Sequence, residues 1–287
     1  MQGGFLGGNV SFLVFLCVIL SAGLHAGWNA IIKLGVSKQQ SMLLLSVGHV
    51  FFSLPVAVYF GLPPAEIWPW LLASAGIHVA YQLFLAYAYE QGDISRVYPI
   101  SRGTAPLIVL LVSSTFMSER LSVQEIMGVV VLGFGIFLMA RGVFSSGESR
   151  RLLPFALGAA VATAAYSLVD GLGAREWANA VAYVAWAMIL SGIAFVPAVA
   201  LLKGSEVFDV SRRALAFGLL AAAMSLLAYG VVVWAMTQAP IALVTALRET
   251  SIFFAVLIGW LFFGDKMDRL KVASAVLIVA GALLTRL

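Results

Sequence analysis

The sequence is short of charge and of cysteine. Only 10% of its 287 residues are Asp, Glu, Lys or Arg, where soluble domains carry about a quarter. So few charges cannot cover a water-facing surface. A single cysteine, Cys17, excludes an internal disulfide framework. The seventeen Lys and Arg residues are scattered rather than clustered, which excludes a nucleic-acid surface despite a net charge of +4. No P-loop, His-Glu-x-x-His pair or nucleophile elbow occurs, and His25, His49 and His78 fall in three separate apolar runs with no metal-ligand spacing. Apolar residues are abundant instead. They make up 62% of the chain, with a mean hydropathy of +1.02, which excludes disorder.

A helix needs about 20 apolar residues to cross the ~30 Å hydrocarbon core of a bilayer. With short connections, 287 residues hold about ten spans. Apolar runs lie at 10–32, 42–60, 69–90, 97–116, 124–140, 153–173, 180–202, 213–238, 241–263 and 269–286. The chain therefore reads as an all-α polytopic membrane protein with one membrane domain over 1–287 and no room for a sizeable soluble domain. Pro240 suits the first turn of a helix, so Ala239-Pro240 reads as a tight turn between the eighth and ninth spans. No Lys or Arg precedes Lys33. The basic leading segment of a signal peptide is missing, and the first run is expected to stay as a helix.

The longest hydrophilic stretch, Arg141 to Pro154, divides five spans from five. Sliding the second half back by 146 residues sets Arg248 on Arg102, Thr250 on Thr104, Phe262 on Phe116, Asp265-Lys266 on Glu119-Arg120 and Gly281 on Gly135. The chain thus reads as two five-helix repeats, 1–145 and 150–287. An odd number of spans per repeat inverts the second copy, a recurring plan in secondary transporters. Twelve of the seventeen basic residues fall in odd-numbered loops, and only Arg120, Arg175 and Arg286 lie at the other side. By the positive-inside rule the odd loops are cytoplasmic and both termini are outside.

A charged side chain inside the bilayer is costly and marks a candidate site. Arg248 and Glu249 lie about nine residues into the ninth span, and Arg102 lies at the matching depth of the fourth. Around Arg102, Pro99, Gly103 and Pro106 loosen the helix, as expected where it lines a cavity. The arginines either pair with carboxylates and fasten the repeats together, present guanidinium forks to an anionic group on a solute, or form a gate. A Glu249 without a cation partner would take up a proton and could couple transport to protons; held by Arg102 or Arg248 it is an ion-pair anchor. Ser21, His25, Asn29 and Lys33 stack on one face of the first helix beside Trp28. Further polar positions are Ser46, His49 and Ser53 on the second helix, Ser74, His78, Tyr81 and Gln82 on the third, Thr163, Tyr166, Ser167 and Asp170 on the sixth, and Ser225 and Tyr229 on the eighth. Trp68, Trp70, Trp177 and Trp186 sit near span ends and read as interfacial anchors.

The runs His25-Ala26-Gly27-Trp28-Asn29, Gly92 to Pro106 and Ala246-Leu247-Arg248-Glu249-Thr250-Ser251 resemble the EamA-type proteins of the drug/metabolite transporter superfamily. Gly264-Asp265 fits the family's Gly-Glu with Asp in place of Glu, and Ser118-Glu119 keeps the acid without the glycine. The resemblance implies ten spans as two inverted repeats, a central cavity, cytoplasmic termini (against the loop charge) and secondary transport, often export, of amino acids or related small metabolites. The expected cavity-lining residues are His25, Trp28, Asn29, Tyr81, Gln82, Tyr98, Arg102, Tyr166, Asp170, Tyr229, Arg248 and Glu249. The expected partners are a small-molecule solute and the lipid of an inner (plasma) membrane, with no cofactor, metal or nucleic acid. The rival readings are a membrane-embedded lipid- or polyprenyl-modifying enzyme, for which Asp170 and Glu249 alone are thin support, and a lipid flippase.

Overall fold

The computed structural model describes residues 10–33, 38–91, 94–117, 119, 121–140, 151–265 and 267–286, and within these the side chains of 33, 38–39, 89–90, 94–99, 139–140, 203 and 205–206 are left out. Among the described residues all regular structure is helical. In the first half stand α1 (Phe12–Lys33), α2 (Lys38–Phe60), α3 (Trp68–Gln91), α4 (Ile94–Phe116) and α5 (Val123–Ala140). The second half holds α6 (Leu152–Trp177), α7 (Ala180–Lys203), α8 (Arg212–Met236), α9 (Ile241–Arg248), α10 (Ser251–Phe263) and α11 (Arg269–Leu284). Seven stretches are long and apolar enough to cross a membrane: six along α1, α2, α3 with the short turn Ala65–Ile67 before it, and α6 to α8, and a seventh running from α9 through α10. The apolar parts of α4 and α5, Ile100–Phe116 and Val123–Leu138, are shorter.

Local sequence explains several boundaries. Ser122 and Glu125 close a reciprocal capping box on α5: the Ser122 N–H donates to Glu125 Oε2 at 2.6 Å, and the Glu125 N–H donates to Ser122 Oγ at 3.2 Å. Asn179, Ser211 and Asp268 cap α7, α8 and α11 through their side-chain oxygens. The expected sixth span ended at 173, but α6 continues through Trp177. This brings Arg175 out of a loop and into the last turn of a helix.

The expected ninth span is interrupted. At Glu249 and Thr250 the backbone tightens to i−3 bonds, Glu249 N to Ala246 O at 3.0 Å and Thr250 N to Leu247 O at 3.1 Å. The Thr250 hydroxyl also donates to Leu247 O at 2.7 Å, holding that tight turn. Every residue of the preceding eight-residue helix, α9, is buried. It forms the centre of the largest apolar cluster, with Val18 of α1, Val109 of α4, Leu132 of α5 and Val232 of α8 around it.

The two halves interlock. The most extensive packing joins α3 to α6, α5 to α11, α2 to α7, α1 to α8 and α4 to α6, every pair crossing from one half to the other. Exchanging the halves maps this pattern onto itself, because α1 meets α8 and α10 just as α6 meets α3 and α4. Small residues permit the closest approaches. A Cβ on Gly281 of α11 would lie 2.5 Å from the Leu132 backbone nitrogen of α5, so no side chain fits there. Outward, Leu13, Leu20, Phe51, Val58, Leu111, Val161, Leu201 and Phe262 are exposed, the apolar coat that a lipid environment requires.

Candidate functional site

One cavity of about 130 Å³ lies within the bundle, lined by side chains of α1, α2, α3, α4, α6, α7, α8 and α9. Of the residues expected from sequence, His25, Trp28, Asn29, Tyr81, Gln82, Arg102, Tyr166, Tyr229 and Arg248 are on its wall. Asp170 and Glu249 are not. Both are fully buried one layer behind the wall, each gripped by groups that do line it. The backbone of Tyr98 belongs to α4, and its side chain lies outside the described residues.

Two polar clusters make up the wall. In the first, the guanidinium groups of Arg102 and Arg248, one from each half, converge on Glu249. Arg102 Nε lies 3.0 Å from Glu249 Oε2, in a contact whose angle makes it ionic rather than a directed hydrogen bond. Arg248 Nε and Nη2 donate to Glu249 Oε1, both at 3.3 Å. The helix break after Arg248 makes this possible, since sequence neighbours on a regular helix point about 100° apart. Arg102 Nη2 also lies 2.8 Å from His25 Nε2. Arginine can only donate, so Nε2 accepts and the His25 proton sits on Nδ1. The 3.3 Å approach of Trp28 Nε1 to Nδ1 is then packing, in keeping with the edge-on rings 5.0 Å apart. Two guanidinium groups share one carboxylate, so this cluster carries one net positive charge.

The second cluster is centred on Asp170 of α6. His78 Nε2 of α3 lies 3.1 Å from Oδ2, the Tyr183 hydroxyl of α7 donates to Oδ1 at 3.1 Å, and the Tyr229 hydroxyl of α8 donates to Oδ2. Four helices thus meet on one carboxylate. Tyr166 joins the clusters: its ring stacks on His78 with centroids 4.4 Å apart, and Arg248 lies over it at 5.6 Å. Its neighbours Tyr81 and Tyr229 stand edge-on to it.

The wall also contains Ser21, Ser46, His49 and Ser225, which the polar stripes had marked. Met42, Met188, Ser191 and Gly192 had not been singled out. Ser191-Gly192 is the one polar-small interruption in the middle of α7, and that was the available signal. Tyr183 was hidden from sequence reading: it is off the cavity wall, and its hydroxyl reaches Asp170 on another helix.

A further ionic group closes the end of the bundle where α4, α6 and α8 finish. Arg175 Nη2 pairs with Glu119 Oε1 at 2.7 Å, and Arg175 also donates to Met236 O and Ala239 O at 2.7 and 2.9 Å, tying down the last carbonyl of α8 and the turn that follows it. Glu119 in turn accepts from Ile241 N, the first N–H of α9, at 3.1 and 3.2 Å. The opposite end is marked by Gln40, whose amide donates to Asp209 O at 2.7 Å.

A solved structure described only as the crystal structure of a protein is similar in fold, with a TM-score of 0.77 and 17% identity over 96% of this chain and 98% of that one. Comparison with curated proteins gives no match. The model of the EamA-like transporter family matches twice, over residues 12–141 and 151–287, one match for each of the interlocked halves. The chain belongs to the EamA-like transporter family.

Proposed function

We propose that the protein is a secondary transporter, acting as an exporter, that moves a small polar or amphipathic metabolite such as an amino acid or a related compound across the inner (plasma) membrane. It has ten spans arranged as two inverted five-helix repeats and works by alternating access about a site near the bilayer midplane. One observation carries this reading: Arg102 and Arg248, equivalent residues of the two halves, stand on the wall of one cavity and share a single carboxylate. The surplus positive charge is costly in a low-dielectric interior until an anionic group of the solute sits against it. Both arginines then offer forked donors to that group. Trp28, Tyr81 and Tyr166 supply apolar area and polar tips for the rest of the molecule, and Asn29 and Gln82 add amide groups.

Glu249 serves as the charge-balancing carboxylate. Proton uptake there would require both guanidinium groups to release it. The rival enzyme and flippase readings gain no observation from the cavity.

The test is uptake of a panel of labelled amino acids and small carboxylates into proteoliposomes. Arg248→Lys keeps the charge and loses the fork, and it is expected to lower uptake at least tenfold, about 1.4 kcal/mol of interaction, with little change in melting temperature. An equal loss of melting temperature and expression, with residual uptake of unchanged selectivity, would show that Arg248 only fastens the halves together.

A further inference from the structure

The two ends of the bundle differ. At the Glu119 end, the carboxylate of one half clamps Arg175 and the amino end of α9, both in the other half, and Arg175 holds the end of α8. The cavity spans the middle of the bundle, its wall running from Met42 and Leu85 toward the other end to Tyr229 and Val232 toward the Glu119 end. Beyond Val232 the clamp ties the helix ends together, and this is what holds the Glu119 end closed.

The 146-residue offset gives Glu119 a counterpart, Asp265, which follows α10 as Glu119 follows α4. The packing obeys the same exchange: α4 lies against α6, and α10 lies against α1. The offset sets α9, whose first N–H Glu119 binds, on α4, and it sets Arg175 on the last turns of α1, which carry Asn29 and Lys33. Asp265 does none of this work here. It is exposed, and among the described residues its carboxylate makes no hydrogen bond or ion pair. Two acids at equivalent places, one fully engaged and the other idle, are what an inverted-repeat machine presents when one end is shut and the other open.

We infer that Glu119 and Asp265 are reciprocal closing residues of the transport cycle: Glu119 holds its end shut in the conformation described, and Asp265 makes the matching clamp, to the end of α1 and the amino end of α4, when the other end closes. Neither touches solute. Each positions helices of the opposite half, so each sets the population of one access state. The inference rests on the alternating-access reading.

The experiment needs no solute. In a Cys17→Ala background, Ser225→Cys places a thiol on the cavity wall, and a membrane-impermeant maleimide is applied to either side of vesicles of known orientation. Glu119→Gln is expected to raise labelling from the Glu119 end about tenfold, as loss of a buried ion pair shifts a two-state balance. Asp265→Asn is expected to do the opposite, lowering labelling from the Glu119 end and raising it from the other. Glu119→Asp, which keeps the acceptor, should retain the parent sidedness, and Arg175→Gln, which removes the clamp from its other partner, should shift labelling as Glu119→Gln does and serves also if Glu119→Gln folds poorly. Variants that lose thermal stability without any sided change overturn the assignment. Labelling from one side only, in the parent and every variant, would instead sink alternating access itself.

Discussion

At the scale of the residue, Asp170 carries the most concentrated demand. It is fully buried, and its two oxygens serve His78, Tyr183 and Tyr229 from three other helices. Asp170→Asn removes the charge and turns one acceptor into a donor facing hydroxyls that also donate. A cost of about 3 kcal/mol is expected, seen as a marked drop in apparent melting temperature in detergent, whereas Tyr183→Phe, which removes one hydroxyl, should cost about 1 kcal/mol. A melting temperature unchanged by Asp170→Asn would mean that the cluster does not hold these helices. Sequence reading picks out Asp170 as part of the polar stripe on the sixth span, but it cannot assign its partners, since His78 and Tyr229 lie 92 and 59 residues away. The arginines were more legible, because the repeat offset placed Arg102 and Arg248 at one depth before any contact was known.

The element that sequence reading missed is the break between α9 and α10. The stretch 241–263 is apolar enough on average to read as one span, and the polar run Arg248-Glu249-Thr250-Ser251 within it reads as a site rather than as a helix end. The cause is local: the Thr250 hydroxyl binds Leu247 O, and Arg248 and Glu249 pair with each other at the break. Element contacts also rest on glycine. Gly281 of α11 meets the α5 backbone at Leu132 and Gly128, with 2.5 and 2.7 Å left for any Cβ. Gly281→Val should force the two helices apart and lower the melting temperature by several degrees. Gly76→Ala in α3, with nothing within 4 Å, should be neutral or slightly stabilising. Equal effects of the two substitutions would show that the α5–α11 seam is loose.

At the scale of the whole molecule, the hydrophilic stretch at the middle of the sequence suggests two units, and the family model matches on either side of it. The apolar runs lie within a few residues of most of the helices, but the ninth run holds two. What one-dimensional reading could not supply is that the units are not neighbours but partners, helix by helix. Expressed alone, residues 1–145 should therefore be protease-sensitive, and co-expression with 150–287 as a separate chain should restore a complex that co-purifies. A stable first half on its own would refute the interlocked packing.

That interlocking has a consequence for how the protein is made. The first half leaves the ribosome before its partners exist. Ser21 waits for the Ala228 carbonyl, His78 for Asp170 and Arg102 for Glu249, the last about 150 residues further along the chain. At roughly 5–20 residues per second, a guanidinium group destined for an ion pair spends about 7–30 s in or beside the membrane without its carboxylate. During that interval the nascent chain depends on the insertion machinery, or on water at the bilayer surface, to shelter its charge. Synthesis of α9 and the turn after it is the moment at which Arg102 first gains its carboxylate.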